Sequence, residues 1–397
     1  MHKDNLVNQA VEACKQSRVC FCKFISANDS GETGGHQCGI YIPKNSIKLI
    51  FDREYQKGSN KDRKATIRWQ GESGFETESR FIYYGTGTRN EYRITRFGKG
   101  FELLDENSTG NLLVLAKMAE DHYEGYMFER DSDIEDFLSA FAMSPTDTNS
   151  LINVTNKITG VDDRIRLFDE FIKASGKSFP STKEIAGEAR RIVEITGKTS
   201  NALLAVKDPD IVLQEWLDAE YTLFKTMENN HYASYLLKPF ESVEVLIEVA
   251  NEMLNRRKSR AGKSLEHHLC RIFDYNGLKY DREPRTEKKK KPDFIFPGIK
   301  YYFEDKYSKN LVFLASKTTC KDRWRQILNE ADRIKTKHLF TLQQGISGNQ
   351  LEEMEDENVV LVCPGQYINS FPKLYRDKIL SLQKFVSTTK IKTNIRG

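Results

Sequence analysis

The sequence predicts a multidomain α+β protein, in which an N-terminal β-domain precedes a C-terminal α/β domain with a mixed sheet. The chain has 397 residues, enough for two domains that each bury a core. Short runs of β-branched and aromatic residues dominate residues 19–129. Predicted strands then alternate with helices over residues 264–363, which is typical of a sheet flanked by helices.

The composition is that of a globular protein with a polar exterior, at 39% hydrophobic and 30% charged residues and a mean hydropathy of −0.60. The net charge of +4 is too modest to identify a partner by itself. Seven cysteines without a CxxC pair argue against a disulfide framework or a zinc site. No leader and no long apolar stretch stand out, so we expect a cytoplasmic protein without membrane contact.

The N-terminal domain is predicted to span residues 1–145. A short helix at 4–17 precedes seven strand-like runs, and turns rich in Gly, Asn and Lys separate them. This pattern indicates a barrel or a sandwich. A helix at 131–143 closes the region, and the runs are 19–26, 39–42, 46–51, 65–69, 80–84, 91–96 and 111–116.

Residues 146–178 are predicted to form a linker, since polar turn-forming residues gather at its start. The second domain then covers 179–397, beginning where Ser181 and Glu184 have capping-box spacing. Residues 184–255 have helical periodicity, for which we expect roles in packing and dimerisation. The remaining prediction is helix 264–276, strands 292–296 and 311–316, helix 320–334, strand 338–342, helix 349–356 and strand 359–363.

Charged residues stand at the ends of these elements. Asp293 opens one strand, Lys317 follows the next, and Glu330 falls off the apolar stripe of the predicted helix. Two carboxylates and a lysine suit a metal-assisted phosphodiester hydrolase, because carboxylates hold Mg²⁺ and an ammonium orients water and offsets charge at phosphorus. Such acids are usually solvated surface groups, but basic residues at 288–291 and 321–325 favour a phosphate-bearing substrate.

This stretch resembles the PD-(D/E)XK nuclease motif in the variant of the EcoRII family of restriction endonucleases, whose second acid has moved from the strand to the following helix. The usual acid-X-Lys position reads Ala315-Ser316-Lys317, with Glu330 as the replacement. The similarity extends through residues 256–266 and 317–342. It also reaches residues 26–29 and 33–37, and it is weak between about 100 and 250.

The resemblance implies a restriction-endonuclease-like catalytic domain and an N-terminal β-pseudobarrel that binds a second, effector copy of the DNA site, as in type IIE enzymes. Asp293 and Glu330 would bind Mg²⁺, and Lys317 would assist the attacking water. Glu266 and Tyr302 match family residues near the active site, although Tyr301 leaves the register of the tyrosine open.

The resemblance also implies a target. Lys321-Asp322-Arg323 matches the tripeptide with which related enzymes read C·C/G·G, and Lys, Arg and Asp have the donors and acceptor for guanine and cytosine. The implied site is 5′-CCWGG or a close relative, cut to give 5′-phosphates. Cutting both strands of a near-palindrome implies a homodimer. A cognate DNA cytosine methyltransferase is expected on biological grounds, but not as a physical partner.

In the N-terminal domain, strand alternation places Arg89, Glu91 and Arg93 on one face, from which they could contact guanine and cytosine edges. A charged exposed hairpin is the plainer interpretation of this pattern alone. The resemblance implies that the stretch binds effector DNA together with three further residues: His36, Tyr41 and Arg96. Gly87 and Tyr92 replace family lysines, which leaves open the contacts that this domain makes to phosphate and base.

Two other functions remain open at this point. A DNA-binding regulator with an inactive nuclease fold would keep the basic strand but lose the metal-binding acids, and Asp293, Lys317 and Glu330 are all present. A structure-specific nuclease, such as a junction resolvase, would share the metal site. It would need neither the 321–323 reader nor an effector domain, and cleavage of plain duplex at defined positions would distinguish it.

Overall fold

A computed structural model describes residues 4–32, 39–71, 74–98, 101, 103–152, 162–176, 178–197 and 200–394. The chain divides into two compact units. The first comprises Met1–Asn156 with Gln343–Glu355 and Tyr367–Asp377, and the second comprises Lys157–Leu342 with Asp356–Gln366 and Lys378–Gly397. The domain boundaries given above remain predictions.

The first unit is built around an eight-stranded sheet in the order β2-β5-β4-β3-β7-β6-β1-β8. Neighbours are antiparallel except for the parallel pair β3–β7. The elements of this part of the chain are α1 (Asp4–Gln16), β1 (Val19–Phe24), α2 (Ala27–Ser30), β2 (Ile40–Ile42), β3 (Lys61–Trp69), β4 (Phe75–Tyr84), β5 (Glu91–Thr95), β6 (Leu112–Ala119), β7 (His122–Phe128), α3 (Asp131–Ala140) and β8 (Ser150–Leu151).

Strands β1 and β6 are buried on both faces, which explains their nearly continuous apolar sequence. Alternate residues of β1 belong to different cores: Phe21 packs with the aromatic interior around Trp69 and Phe81. Its neighbours Cys20 and Cys22 pack on the opposite face against helices α1 and α3. A disulfide joins Cys14 to Cys20, which the number and spacing of the cysteines did not lead us to expect.

The second half of the chain supplies a six-stranded mixed sheet in the order β14-β13-β12-β11-β10-β9. Strands β9 to β11 pair antiparallel and β11 to β14 parallel. The elements are α4 (Asp162–Ser175), α5 (Thr182–Thr196), α6 (Asn201–Lys207), α7 (Pro209–Leu236), α8 (Val243–Tyr275), β9 (Asp281–Arg282), β10 (Phe294–Phe296), α9 (Ile299–Tyr302), β11 (Val312–Lys317), β12 (Lys337–Thr341), α10 (Gly348–Asp356), β13 (Val359–Cys363), β14 (Leu380–Ser381) and α11 (Leu382–Lys392).

One continuous core joins this sheet to its helices. The last turns of α8 contribute Leu269 and Phe273, which pack with Phe294 and Phe296 of β10 and with α11 through Phe385. The helix predicted at 264–276 is thus the end of the much longer α8. The predicted fold class is confirmed, with a mixed sheet flanked by helices following the β-domain. Among the described residues, no helix combines the length and apolar character needed to cross a membrane.

Candidate active site

Asp293 lies where two antiparallel strands of the second sheet meet. Because β10 and β11 run in opposite directions, with Phe294 paired to Leu314, the start of β10 lies beside the end of β11. The Oδ2 atom of Asp293 accepts a 2.7 Å hydrogen bond from the Ser316 amide and a 3.3 Å bond from the Ser316 hydroxyl. The strand register therefore places Asp293 beside the residue that precedes Lys317.

Lys317 is the last residue of β11 and the only charged residue in that strand. The rest of β11 is buried, whereas Lys317 is half-buried. Its backbone is held in the sheet by pairing with Thr341 of β12. Because β11 lies between β10 and β12, the backbone from which the Lys317 side chain extends has a fixed position.

Glu330 does not lie on a long helix, and the helix predicted at 320–334 is wrong. A 3₁₀-helix covers Arg323–Ile327, and turns follow it. Ala331 has a φ of 48°, in the left-handed region, which interrupts any right-handed helix there. The apolar stripe that suggested the helix is nonetheless buried, because compact turns can bury the same side chains: Trp324, Ile327, Ala331 and Ile334.

The Glu330 carboxyl shares one electrostatic environment with Asp293 and Lys317. Burial raises the pKa of Glu330 to about 7, with a further contribution from the charge of Asp293. Three ammonium groups lower the same pKa and partly offset the rise: Lys317, Lys337 and Lys290. Charges influence one another measurably in a half-buried site only at short range. The structure thus brings together all three residues that the sequence predicted for the centre of the site.

Glu266, on α8, adjoins this group. Burial raises its pKa, hydrogen bonding to Arg282 lowers it, and the charge of Asp293 raises it. Arg282 binds the Glu266 carboxylate through two nitrogens, with Nε 3.0 Å from Oε2 and Nη2 contacting the same oxygen. Glu266 therefore lies near Asp293 but is engaged by an arginine.

Tyr302 is fully buried and has an occupied hydroxyl group. It donates to the Glu287 carboxylate at 2.7 Å and accepts a 3.2 Å hydrogen bond from the backbone amide of Arg333. Burial raises its pKa, so the hydroxyl stays protonated. Of the two adjacent tyrosines, Tyr302 is thus the one that contacts the segment following Glu330, whereas Tyr301 packs against Tyr307.

Two of the predicted base-reading residues, Lys321 and Asp322, lie in the turn after β11, and the third, Arg323, begins the 3₁₀-helix. Lys321 is buried and Asp322 is exposed. Arg323 folds back on the chain, with Nη2 donating to the Thr319 carbonyl at 3.2 Å and to its hydroxyl at 2.8 Å. The tripeptide therefore follows Lys317 closely, and its Arg323 would have to reorient to reach a base edge.

His267 and His268 are adjacent histidines on α8, and their environments are structural ones. The His268 ring is fully buried, with Nε2 2.8 Å from Oε2 of Glu220 and Nδ1 3.0 Å from Nη1 of Arg190. The same Glu220 oxygen accepts from the Ser264 hydroxyl at 2.7 Å. For His267, burial lowers the pKa to about 4, so it is neutral at physiological pH.

In the N-terminal unit, the predicted effector residues have different environments. Tyr41 and Arg93 are direct partners across the β2–β5 pair. Arg93 is buried, donates from Nη1 to the Gly39 carbonyl at 3.1 Å, and lies 3.4 Å from Glu91. This arginine therefore supports the strand pair from within.

Arg89 and Arg96 are exposed, as a DNA contact requires. The Arg89 guanidinium stacks on the Tyr84 ring at 4.9 Å, and Arg96 occupies a left-handed conformation with φ of 61° directly after β5. His36 lies outside the described residues. The proposed roles of all these residues in DNA binding remain predictions.

Sequence reasoning missed a buried ion pair beneath Tyr41. The Lys23 ammonium lies 2.8 Å from Oδ2 of Asp29, and both side chains are buried. Oδ1 of Asp29 accepts a 2.7 Å hydrogen bond from the Tyr41 amide, while Oδ2 accepts from Ser26. The capping-box spacing of Ser26 and Asp29 was the available signal, because an Asp in that position is committed to local backbone bonds.

Asp293 and Glu330 fit a divalent cation by the chemistry of their donors. Carboxylate oxygens are preferred ligands of Mg²⁺, which otherwise keeps water or substrate phosphate. Burial, and then the negative charge of Asp293, raise the pKa of Glu330, and a bound cation would stabilise the charged carboxylate against both effects. Within the described ranges, no set of three or more His, Cys, Asp or Glu side chains is arranged to hold a metal ion. A bound ion would thus need other oxygen ligands besides these two.

Comparisons with known proteins agree on one family. The family model described as "Restriction endonuclease EcoRII, N-terminal" matches residues 14–143, and "EcoRII C terminal" matches residues 224–386. The chain is 36% identical to the type II restriction enzyme EcoRII of Escherichia coli, over 96% of each chain. It is 29% identical to the type II restriction enzyme SsoII of Shigella sonnei, over 27% of this chain and 37% of that enzyme.

Two solved structures are similar at lower levels. Metal-depleted Ecl18kI in complex with uncleaved, modified DNA aligns with a TM-score of 0.45 and 19% identity, covering 58% of this chain and 86% of that one. The PspGI–substrate DNA complex aligns with a TM-score of 0.44 and 16% identity, covering 55% of this chain and 95% of that one. The identity over nearly the full length of EcoRII and the two family matches carry the conclusion that this chain belongs to the EcoRII family of type II restriction endonucleases.

Proposed function

We propose that this sequence-specific endonuclease cleaves double-stranded DNA at 5′-CCWGG or a closely related site in the presence of Mg²⁺, leaving 5′-phosphates. One observation carries the catalytic part of the proposal. The Glu330 carboxyl lies in the field of both Asp293 and Lys317, which stand at adjoining ends of the paired strands β10 and β11. This is the combination of acids and ammonium that metal-assisted phosphodiester hydrolysis requires.

Asp293 and Glu330 would hold the ion, and Mg²⁺ would supply a Lewis acid and an activated water at neutral pH. Asp293 is pre-oriented for this role, because its Oδ2 is already bound by the Ser316 amide. The Lys317 ammonium would orient the attacking water and offset negative charge at phosphorus. Glu266 is a further contributor once its carboxylate is shared between Arg282 and the site.

Recognition of the target is assigned to Lys321, Asp322 and Arg323. Lys321 stands four residues after Lys317, so base contacts made by this tripeptide would position the scissile phosphate relative to the catalytic lysine. Lys and Arg can donate to guanine O6 and N7, and the exposed Asp322 can accept from cytosine N4. Tyr302 would act through the backbone of Arg333, to which its hydroxyl is bonded.

The N-terminal unit is assigned to an effector copy of the site, whose occupancy would control cleavage by the catalytic domain. Arg89 and Arg96 are exposed on the strand β5 side, and Glu91 is half-buried next to them. Arg93, Tyr41 and the neighbouring His36 complete the proposed set. Because Arg93 is bonded to the Gly39 carbonyl, its contribution would be to shape this surface.

The active form would be a homodimer, and the paired helices α7 and α8 support a second copy as the partner. Where these helices join, large apolar side chains are exposed: Tyr235, Leu236, Leu237, Val243, Leu246, Ile247 and Leu254. Patches of this kind mark interaction surfaces. Glutamates dominate the first turns of α8 and basic residues dominate residues 256–263, so two copies of α8 packed antiparallel would have complementary charge.

The experiment is digestion of plasmids that carry one or several CCWGG sites, in Mg²⁺ and in EDTA, with sequencing of the ends. Mg²⁺-dependent cuts at CCWGG, faster on multi-site plasmids, are the expected result. Cuts at another fixed sequence would overturn the proposed specificity alone. Tight duplex binding without cuts would overturn the proposed cleavage and favour a regulator. A cytoplasmic location, where the DNA substrate lies, and a separate methyltransferase belong to the same proposal.

A further inference from the structure

Lys337 is a buried lysine that holds the backbone beside Glu330. It begins β12, opposite Phe313 of β11, and its Nζ lies 5.1 Å from the centre of the Phe313 ring. The ammonium donates to the Ala331 carbonyl at 2.6 Å and also binds the Glu330 carbonyl. A buried ammonium requires such partners, because leaving water without them is costly.

The two carbonyls belong to a turn that needs external support. Ala331 has a φ of 48°, a conformation that is unfavourable for a residue other than glycine. Lys290 contacts the same turn from its outer side, through the Asn329 carbonyl and the Asp332 carboxylate at 3.3 Å. The inner contact is made by Lys337, which binds the carbonyls of the two successive peptides that flank the Cα of Ala331.

We propose that Lys337 is a positioning residue of the active site, which directs the Glu330 carboxylate toward Asp293 and Lys317 by fixing the left-handed turn at Ala331. This rests on the proposed role of Glu330 in metal binding. The two backbone contacts support the positioning role of Lys337, since the Glu330 carboxylate can have a defined direction only if the Cα of Glu330 is held in place. The effect of Lys337 on the pKa of Glu330, which it lowers, agrees with this proximity.

An alternative is that Lys337 only stabilises the fold, filling the space between β12 and the turn. The two roles predict different outcomes for conservative variants. Lys337→Met keeps length and packing against Phe313 but removes the donor, whereas Lys337→Arg retains a donor. The exposed Lys335, two residues earlier in the chain, provides the matched control Lys335→Met.

The test measures kcat and KM for cleavage, Ca²⁺ affinity by isothermal titration calorimetry, and thermal unfolding, all on the full chain. We expect Lys337→Met to lower kcat and Ca²⁺ affinity by about 10- to 100-fold, the usual loss when support for a metal ligand is removed. KM for DNA should be unchanged. Lys337→Arg should recover most of both losses, and Lys335→Met should match the parent protein.

A folded Lys337→Met variant with the parent's kcat and Ca²⁺ affinity would overturn the proposal. So would equal losses in the Arg and Met variants. Should Lys337→Met fail to fold, Lys337→Gln, which keeps a neutral donor of shorter reach, takes its place with the same expected direction, and parental Ca²⁺ affinity in that variant would overturn it. A parent protein that never cleaves DNA would overturn the proposed function instead, while the calorimetry still tests Lys337.

Discussion

The amide of Ser316 donates a 2.7 Å hydrogen bond to Oδ2 of Asp293, across the junction of β11 and β10. This bond joins the strand that ends in Lys317 to the residue that opens the neighbouring strand. It fixes one rotamer of Asp293 and leaves its other oxygen for a ligand. The two residues are far apart in the chain, and antiparallel pairing is what brings them into one site.

Asp293→Asn and Lys317→Met should each lower the cleavage rate by about 10²- to 10⁴-fold, the range expected when a group acting on the reacting water is lost. Asn keeps the shape of Asp293 but loses the charge needed for a metal ion, and Met keeps the length of Lys317. DNA binding without metal should persist in gel-shift assays. The exposed Lys309→Met is a control expected to cleave normally, and full cleavage by both active-site variants would remove them from the mechanism.

Glu330→Gln should stabilise the protein in a pH-dependent way. An unfolded Glu titrates near pH 4.3, whereas burial raises the pKa of folded Glu330 to about 7. Between these values the folded chain keeps a proton that the unfolded chain has lost, so stability falls as pH rises across this window. Removing the charge should raise the unfolding temperature by about 2–4 °C at pH 8, after allowance for solvent screening.

At about pH 4 the same substitution should leave the unfolding temperature nearly unchanged, because Glu330 is then protonated in both states. An equal change in unfolding temperature at both pH values would show that burial of the charged Glu330 carboxylate does not destabilise the folded protein. Cleavage should be lost at either pH.

Arg93→Met should destabilise the N-terminal domain by about 1–3 kcal/mol, because the buried Gly39 carbonyl would lose its donor. Arg89→Ala, by contrast, removes an exposed side chain and should change stability by less than about 0.5 kcal/mol. Its effect should appear in effector-site binding, with a salt-dependence slope lower by about 1. Chemical denaturation measures the structural role of Arg93, and salt-dependent binding assays measure the DNA contact of Arg89. Unfolding of the domain by Arg89→Ala would show instead that Arg89 has a structural role.

Tyr302→Phe should cost about 1–3 kcal/mol, because the Arg333 amide and the Glu287 carboxylate would each lose a partner. The neighbouring Tyr301→Phe is the matched control, for which we expect a smaller change. Denaturant titration of both variants checks this. A larger loss in Tyr301→Phe would reverse the assignment of the tyrosine that supports the site.

Leu237→Glu and Ile247→Glu should convert the proposed dimer to monomer, since a carboxylate would be placed in its apolar contact surface. Both side chains are exposed, at 83% and 53%, so neither change disturbs the core. Sedimentation velocity measures the mass. The exposed Leu374 of the first unit gives the control Leu374→Glu, which should remain dimeric. Dimers that survive both Leu237→Glu and Ile247→Glu would place the interface elsewhere.

Most strand positions could be read from the sequence because buried strands leave a strong local pattern. The run predicted as a strand at 46–51 was wrong, because a 3₁₀-helix covers Lys44–Leu49, and β7 was not predicted. β13 was predicted at its observed bounds of 359–363, and β10 and β11 within two residues. The helix at 320–334 failed because an apolar stripe with helical spacing can also be buried by a 3₁₀ turn followed by a left-handed residue. The local sequence does not predict a left-handed backbone conformation at Ala331, since alanine favours right-handed helices.

The β-domain, the mixed sheet and the candidate residues Asp293, Lys317 and Glu330 could be inferred from the sequence before any coordinates were known. The way in which these three residues are held could be seen only in the folded chain. Long-range pairing sets Asp293 beside Ser316, and a buried lysine from the next strand, Lys337, supports Glu330. Contacts of this kind join residues remote in the chain, and local periodicity carries no information about them. For the same reason, the burial of Arg93 and the exposure of Arg89 became distinguishable only in the folded chain.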